Sequence, residues 1–400
     1  MKVNVTGETC ILAENEPISL QEYKVFAGMN AGICYGEHGY YGTAVTDPEK
    51  ALKRFETVIK SGHHSIADHI RIAVLLSDIP KAVVMILNNL GDYATSEKSG
   101  RYTKMTGSSE KEVALYNKWV EIFDKEVIPK LGYPIDEKTC HKLAMENARY
   151  MLSVFTNTTL SYTTSLRQYN YIMDWCDRFA SDRNIENNYF NTQLKIYLKE
   201  LSDHLKQYFY IEDLRDFKNR NFSFLAYQTN NSWKDFTLND ISYRNTYQTM
   251  YKGSFVELAQ LQRHKTLDYY MLFNGISENF FTPFSIQGTK YESMWQEDIA
   301  SVADIVPQGT LVDIVETGTV ENFFLKLTER LCGRAQIEIC KQTALTLTDM
   351  AKHNDFTKEL QNKLNLFIDS DNKIKTKCEI LGGCKDGCIH GPSGALSRVI

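Results

Sequence analysis

The stretch QLQRHK, Gln260 to Lys265, sets Arg263, His264 and Lys265 side by side in a 400-residue chain whose formal net charge is −5. Three adjacent side chains must fan out, so a forked guanidinium can grip a phosphate while the imidazole and ammonium face another part of the ligand. The same trio would also serve as a solvated helix end, favoured by the negative pole of the helix dipole. A second string, SEKSGRY from Ser96 to Tyr102, offers the carboxylate of Glu97, the hydroxyl of Ser99, the bare backbone of Gly100 and the guanidinium of Arg101. An anionic phosphate needs close backbone approach with hydroxyl and guanidinium donors, and Glu97 could accept from a base or sugar. Taken alone, that string also reads as a surface turn. A third, GHHSIADH, groups His63, His64 and His69 with Ser65 and Asp68. It lacks a helix-spaced His pair with a third ligand, so hydrogen bonding to a cofactor is preferred to zinc. Near the end of the chain Cys378, Cys384, Cys388 and His390 have enough ligands for zinc but not the spacing of the usual knuckles, and a solvated tail is the preferred reading. No metal is expected.

The elements that hold these residues follow from periodicity. PEKALKRFETVIK carries Ala51, Phe55, Val58 and Ile59 on one stripe, which predicts a helix over 48–60 entered through Pro48. SGHHSIADH is a turn, and alternating Ile70, Ile72, Val74 and Leu76 predict a strand before PKAVVMILNNL returns to helical spacing. Residues 139–152 and 163–208 are mostly helical in pattern, with a polar break at DRNIENN. Further on, SYRNTYQTMYKGSFVELAQLQRHK reads as a strand, a turn at Gly253 and a helix ending in the cationic trio, which repeats the layout of residues 69–91. VENFFLKLTERLCGRAQIEICKQTA likewise echoes NARYMLSVF and LRQYNYIMDW. The halves therefore read as diverged copies of one unit. The tail from Asp369, rich in Gly and Lys, is expected to be an appendage to the core.

Composition narrows the classes of function. A 43% hydrophobic, 24% charged chain is ordinary globular material, and a pI near 6.0 argues against a nucleic-acid surface. No apolar run nears the roughly 18 residues a membrane span requires, and MKVNVTGETC has no apolar signal core. Nine cysteines, mostly scattered, suit reduced thiols. A cytoplasmic enzyme or binder of a small ligand, with no nucleic-acid or membrane partner, is the expectation.

Together these segments resemble the flavin-dependent thymidylate synthases. That family's signature is R-H-R, seven residues, then a serine, usually with a glutamate two positions before the serine and G-R-Y after it. The first half, NLGDYATSEKSGRY, keeps Glu97, Ser99 and Arg101 but has Asn89, Leu90 and Gly91 where the cationic trio belongs. The second half keeps the trio and continues as TLDYYMLFNGI, without the serine arm. Each half has lost what the other keeps. GHHSIADH resembles the family's G-H-x-S/T-x-x-E-H, with Asp68 in place of Glu. AGICYG resembles its flavin-touching segment at Cys34, NARYML its A-R-x-x-L at Arg149, SLRQY a segment whose arginine is Arg167, and ERLCGRAQIEI its L-R-x-C-x-x-A-Q-W-E-I at Arg330. Lys265 replaces an arginine, Ser165 an asparagine and Ile337 a tryptophan.

The resemblance implies an α+β fold in two tandem copies, each an antiparallel sheet with packed helices, forming a pseudo-dimer. The first copy would span residues 1–216, the second 217–368, and the tail 369–400. It implies reductive methylation of dUMP to dTMP with FAD, with NADPH and methylene-tetrahydrofolate as co-substrates, at one composite site. The implied flavin-side residues are Cys34, His63, Ser65, Asp68, Arg167, Arg263, His264 and Lys265. The nucleotide-side residues are Glu97, Ser99, Gly100, Arg101, Arg149, Gln260, Arg263 and Arg330, with His63 and Arg330 closest to the chemistry. A homodimer would take the place of the family's homotetramer. A hydroxymethylating or other pyrimidine-nucleotide-modifying enzyme, and a non-catalytic nucleotide binder, are the alternatives.

Overall fold

The structure, a computed structural model, describes the chain except for residues 9–10, 13–17, 36–46, 101–105, 215–224, 227–235, 242–243, 264, 353–357, 370 and 383–387. The chain divides into two compact units. The first takes residues 1–99, 105–107 and 155–222; the second takes 100–104, 108–154 and 223–400.

The first unit is built on a sheet of order β2-β1-β3-β5-β4, antiparallel throughout: β1 Lys2–Glu8, β2 Ile11–Leu12, β3 Arg71–Pro80, β4 Ala94–Glu97 and β5 Asn157–Ser165. The alternation expected around β3 is present: Ile72, Val74 and Leu76 point into the core, and Val74 pairs with Tyr162 of β5. A strand packed on one face requires this period of two. The expected helix is Pro48–Lys60; Asp47 caps it by accepting from the Lys50 amide, and Ala51, Phe55, Val58 and Ile59 are its buried stripe. GHHSIADH folds as a short 3-10 turn, His64–His69, leading into β3. Helix Lys81–Leu87 follows β3, and helix Leu166–Ser181 follows β5, capped by Ser165. Helix Tyr189–Phe209 buries Leu194, Leu198, Leu201 and Leu205 at helical spacing.

The second unit has a sheet of order β6-β9-β10-β8-β7: β6 Leu225–Ala226, β7 Phe236–Ile241, β8 Arg244–Ser254, β9 Asp268–Phe280 and β10 Thr310–Thr319. Only the short β6 runs parallel to its neighbour, β9. Gly253 is not a turn. It pairs with Val312 inside β8, where a side chain would put its Cβ 2.3 Å from Glu257 Oε2 and 2.8 Å from Ile314 Cδ1. Its lack of a Cβ serves close approach. Helix Phe255–Leu261 starts directly after β8, capped by Ser254, and ends before the cationic trio, with the Arg263 amide bonded to the Gln260 carbonyl.

Helices Glu110–Ile122 and Glu137–Ala148 belong to this unit although they precede β5 in the chain. Trp119 meets Trp295 of helix Lys290–Ala300 edge-on at 4.8 Å and donates its indole N–H to Asp298 at 2.8 Å. Two fully buried tryptophans anchor that packing. Helices Val320–Arg330 and Ile337–Ala351 follow β10. The tail is not an appendage: Cys378, Ala395, Arg398 and Ile400 are all buried, and Arg398 donates both terminal nitrogens to the carbonyls of Gly333 and Ala335.

In chain order the two sheets share a pattern. Four neighbouring strands lie β1-β3-β5-β4 in one and β7-β8-β10-β9 in the other, so the fourth strand inserts between the second and third in both. In each sheet the second and fourth strands run straight into helices. No helix among the described residues is long and apolar enough to cross a membrane.

Candidate functional site

Within the first unit, β5, the helix after it and the turn before β3 bring two of the expected residues, Asp68 and Arg167, together with Ser165. Asp68 Oδ1 accepts from the Ser165 hydroxyl at 2.8 Å, and Oδ2 accepts from Arg167 Nη1 at 2.8 Å. Ser165 is at the same time the cap of helix Leu166–Ser181, accepting from the Gln168 amide. Sequence, cap and ion pair thus fix the Arg167 side chain beside a helix N-terminus, a place suited to anions. Its Nε is buried without an acceptor. His63 and Ser65 flank this cluster on the turn and are exposed. Cys34 falls within helix Leu20–Tyr35, its side chain outside the described residues.

On β4, Glu97 is held by Lys81 at 2.5 Å, with both side chains mostly buried. Glu97 is therefore a partnered carboxylate. Ser99 follows on the same stretch, Gly100 is counted with the second unit, and Arg101 lies outside the described residues.

Within the second unit, Arg149 opens a 3-10 turn at the end of helix Glu137–Ala148 and is 8% exposed. Its Nε and Nη2 make no hydrogen bond, and its ion-pair partner Glu146 stands 3.9 Å away. Burial pushes the Tyr116 hydroxyl pKa up, and Arg149 nearby opposes that shift. Arg330 closes helix Val320–Arg330; its Nε is also buried without an acceptor, and its charge bears on the buried Tyr269 hydroxyl, whose pKa burial and Glu316 raise strongly. A buried unsatisfied donor costs roughly 1–3 kcal/mol, more on a charged group. Arg149 and Arg330 thus each keep a buried guanidinium N–H without an acceptor. Gln260 is half-buried, Arg263 and Lys265 are exposed, and His264 lies outside the described residues.

Periodicity gave no sign of a buried ionic network beneath the second sheet. Lys326 meets Glu316 at 2.5 Å with both side chains wholly enclosed, and Glu316 also accepts from Tyr247 at 2.6 Å and Tyr251 at 2.9 Å. A buried pair survives only when its remaining lone pairs are satisfied in this way. Glu257 and Glu338 form a second buried carboxyl pair. The signal available in sequence was small: Glu257 falls on the apolar stripe of its helix and directly opposite Gly253 in space.

Cys378 is buried, Cys388 is half-buried and Cys384 lies outside the described residues. Among the described residues no group of three or more His, Cys, Asp or Glu is placed to hold a metal ion.

Comparison with known families matches residues 24–181 to the thymidylate synthase complementing protein family. Among solved structures the chain is similar to thymidylate synthase X from Helicobacter pylori with FAD and dUMP, at 15% identity over 54% of this chain and 96% of that one, with a TM-score of 0.31. It is also similar to the UMP/dUMP methylase PolB from Streptomyces cacaoi bound with 5-Br dUMP, at 12% identity over 52% of this chain and 88% of that one, with a TM-score of 0.33. No curated protein matches the chain.

Proposed function

From the premise that this chain, through residues 24–181, belongs to the thymidylate synthase complementing protein family, we propose that it is a flavin-dependent methylase of a pyrimidine nucleotide, acting on dUMP. The finer reading is reductive methylation of dUMP to dTMP with methylene-tetrahydrofolate and NADPH. The observation that carries it is the set of buried guanidinium N–H groups lacking acceptors at Arg149, Arg167 and Arg330, three of the five arginines that the family motifs assign to ligands.

Two tandem copies divide the ligand-binding parts between them in this reading. The matching strand orders of the two sheets support descent from one repeated unit, with residues 1–216, 217–368 and 369–400 as its sequence segments. The complementary losses support one complete set of parts per chain: Glu97, Ser99, Gly100 and Arg101 from the first copy, and Gln260, Arg263, His264 and Lys265 from the second. A homodimer would then carry two sets.

The residues present fit a flavin. Arg167, fixed by Asp68 and left with a buried N–H unpaired, suits a pyrophosphate oxygen, and His63 and Ser65 are exposed beside it. Arg263, His264 and Lys265 supply further donors, and Cys34 a small side chain. When bound, the flavin supplies the redox chemistry that no side chain offers. Arg149 and Arg330 would hold the nucleotide anion and stabilise negative charge that develops at the uracil carbonyl. Ser99 binds and does not attack. His63 contributes orientation on the flavin side.

The test is product analysis on FAD-reconstituted protein given dUMP, methylene-tetrahydrofolate and NADPH. Formation of dTMP is expected. A hydroxymethylated nucleotide would replace the methyl reading, and dUMP binding without any product would leave a nucleotide binder.

A further inference from the structure

The second unit contains a cavity of about 940 Å³ that uses none of the residues assigned above to nucleotide or flavin. It opens where β8 ends and β10 begins, since Leu311 pairs with Ser254, whereas Arg330 sits near Tyr269, which pairs with Glu316 farther along β10. Its walls are Phe280, Phe284, Leu311, Leu345 and Ile374. Part of its lining comes from the tail, including Asn372, Lys373, Ile374, Thr376, Glu379 and Leu396.

At the inner pole lie Glu338 and Glu257, 6% and 1% exposed. Glu338 is saturated as an acceptor: it takes the Ser254 amide at 2.9 Å, the Ser254 hydroxyl at 2.8 Å, the Tyr150 hydroxyl at 3.1 Å and the Gln336 amide at 3.3 Å. Groups that only donate to Glu338 mark it as the ionised member. Glu257 hydrogen-bonds to Glu338 and so carries the proton between them. That bond uses one oxygen of Glu257. The other, Oε1, is buried with no hydrogen-bond partner, and Glu257 is one of the residues that line the cavity. An enclosed acceptor left unpaired is costly, and a native site retains one where a ligand donates to it.

At the outer pole Lys341 stands with its ammonium 4.8 Å from the Phe284 ring centre and only a long 3.5 Å bond to the Leu396 carbonyl. Lys252, also at the rim, is already paired with Asp313 at 2.8 Å. Lys341 therefore has unused capacity, and Lys373 of the tail is a further, exposed cation in the lining. The three features line one cavity: a buried carboxyl at Glu257, an aromatic and aliphatic wall, and the half-buried ammonium of Lys341.

We propose that this cavity is a second ligand site, distinct from the nucleotide site, for a flat aromatic molecule with an N–H donor at one end and an anionic group at the other. The N–H donates to Glu257 Oε1, the ring system packs on Phe280 and Phe284, and the anion meets Lys341. The inference does not depend on the methylase reading.

The probe for the test is 8-anilinonaphthalene-1-sulfonate, which combines an aromatic N–H, a flat apolar body and a sulfonate, and its fluorescence rises on transfer to an apolar site. Titration of the full chain should give one saturable site. Glu257→Gln keeps a carbonyl acceptor toward the cavity and an N–H toward Glu338, so its dissociation constant should stay within about twofold of wild type. Glu257→Leu and Lys341→Glu should each weaken binding at least tenfold, about 1.4 kcal/mol. Should Glu257→Leu fail to fold, Lys341→Glu and the cavity-filling Ala344→Trp, both at half-buried positions, carry the test. Equal affinity in wild type, Lys341→Glu and Ala344→Trp, or no saturable binding to wild type, would overturn the proposal.

Discussion

Glu257 and Glu338 are two buried carboxyl groups joined by one proton, with Glu338 accepting from Ser254, Tyr150 and Gln336 and Glu257 keeping one buried oxygen without a partner. Both pKa values are raised by burial, that of Glu257 strongly. In the folded state Glu257 keeps its proton above the ordinary carboxyl value of about 4.5, where the unfolded chain releases it. Stability from this group is therefore complete below that pH and declines as pH rises toward the folded-state pKa. Urea unfolding from pH 5 to 8 should show wild type losing stability relative to Glu257→Gln as pH increases. A constant difference between the two across that range would contradict the assignment of the proton.

Arg149 separates a binding arginine from a structural one. Its unpaired N–H groups give the unliganded fold little, so Arg149→Met should leave the unfolding free energy from urea titration within about 1 kcal/mol of wild type. Loss of charge-assisted bonds to an anion costs roughly 1.5–3 kcal/mol, so dUMP should bind about tenfold to a hundredfold more weakly by calorimetry. Strong destabilisation with unchanged dUMP affinity would return Arg149 to a purely structural role.

The Asp68–Arg167 pair is partly exposed, its side chains 44% and 24% accessible, so its own strength is discounted for solvent screening. Its work is to aim Arg167. Asp68→Asn should weaken FAD binding by about fivefold, ~1 kcal/mol, in a fluorescence-quenching titration while the melting temperature stays put. Unaltered FAD affinity would remove Asp68 from the flavin side.

Much of the local structure was legible because it depends on neighbours in sequence. Alternating Ile72, Val74 and Leu76 reported β3, and the stripe Ala51, Phe55, Val58, Ile59 reported its helix. Long-range partnerships were not legible. Nothing in helix Glu110–Ile122 says that Trp119 meets Trp295, because an amphipathic stripe requires burial and does not name the surface that covers it. Gly253 read as a turn for the same reason: glycine marks freedom of backbone or closeness of approach alike, and only the position of Glu257 decides between them. Glu257 and Glu338 looked like ordinary helix carboxylates until the fold joined them. The tail misled through composition, since Gly- and Lys-rich sequence hides the few buried positions, Cys378, Ala395 and Ile400, that bind it to the core.

The central claim, one complete set of flavin- and nucleotide-binding parts divided between two copies, is tested most directly by counting flavin. Full-length protein reconstituted with FAD, freed of excess and quantified by absorbance, should hold about one FAD per chain, and its flavin spectrum should shift when dUMP is added. Two FAD per chain, or none with dUMP still bound, would contradict the account.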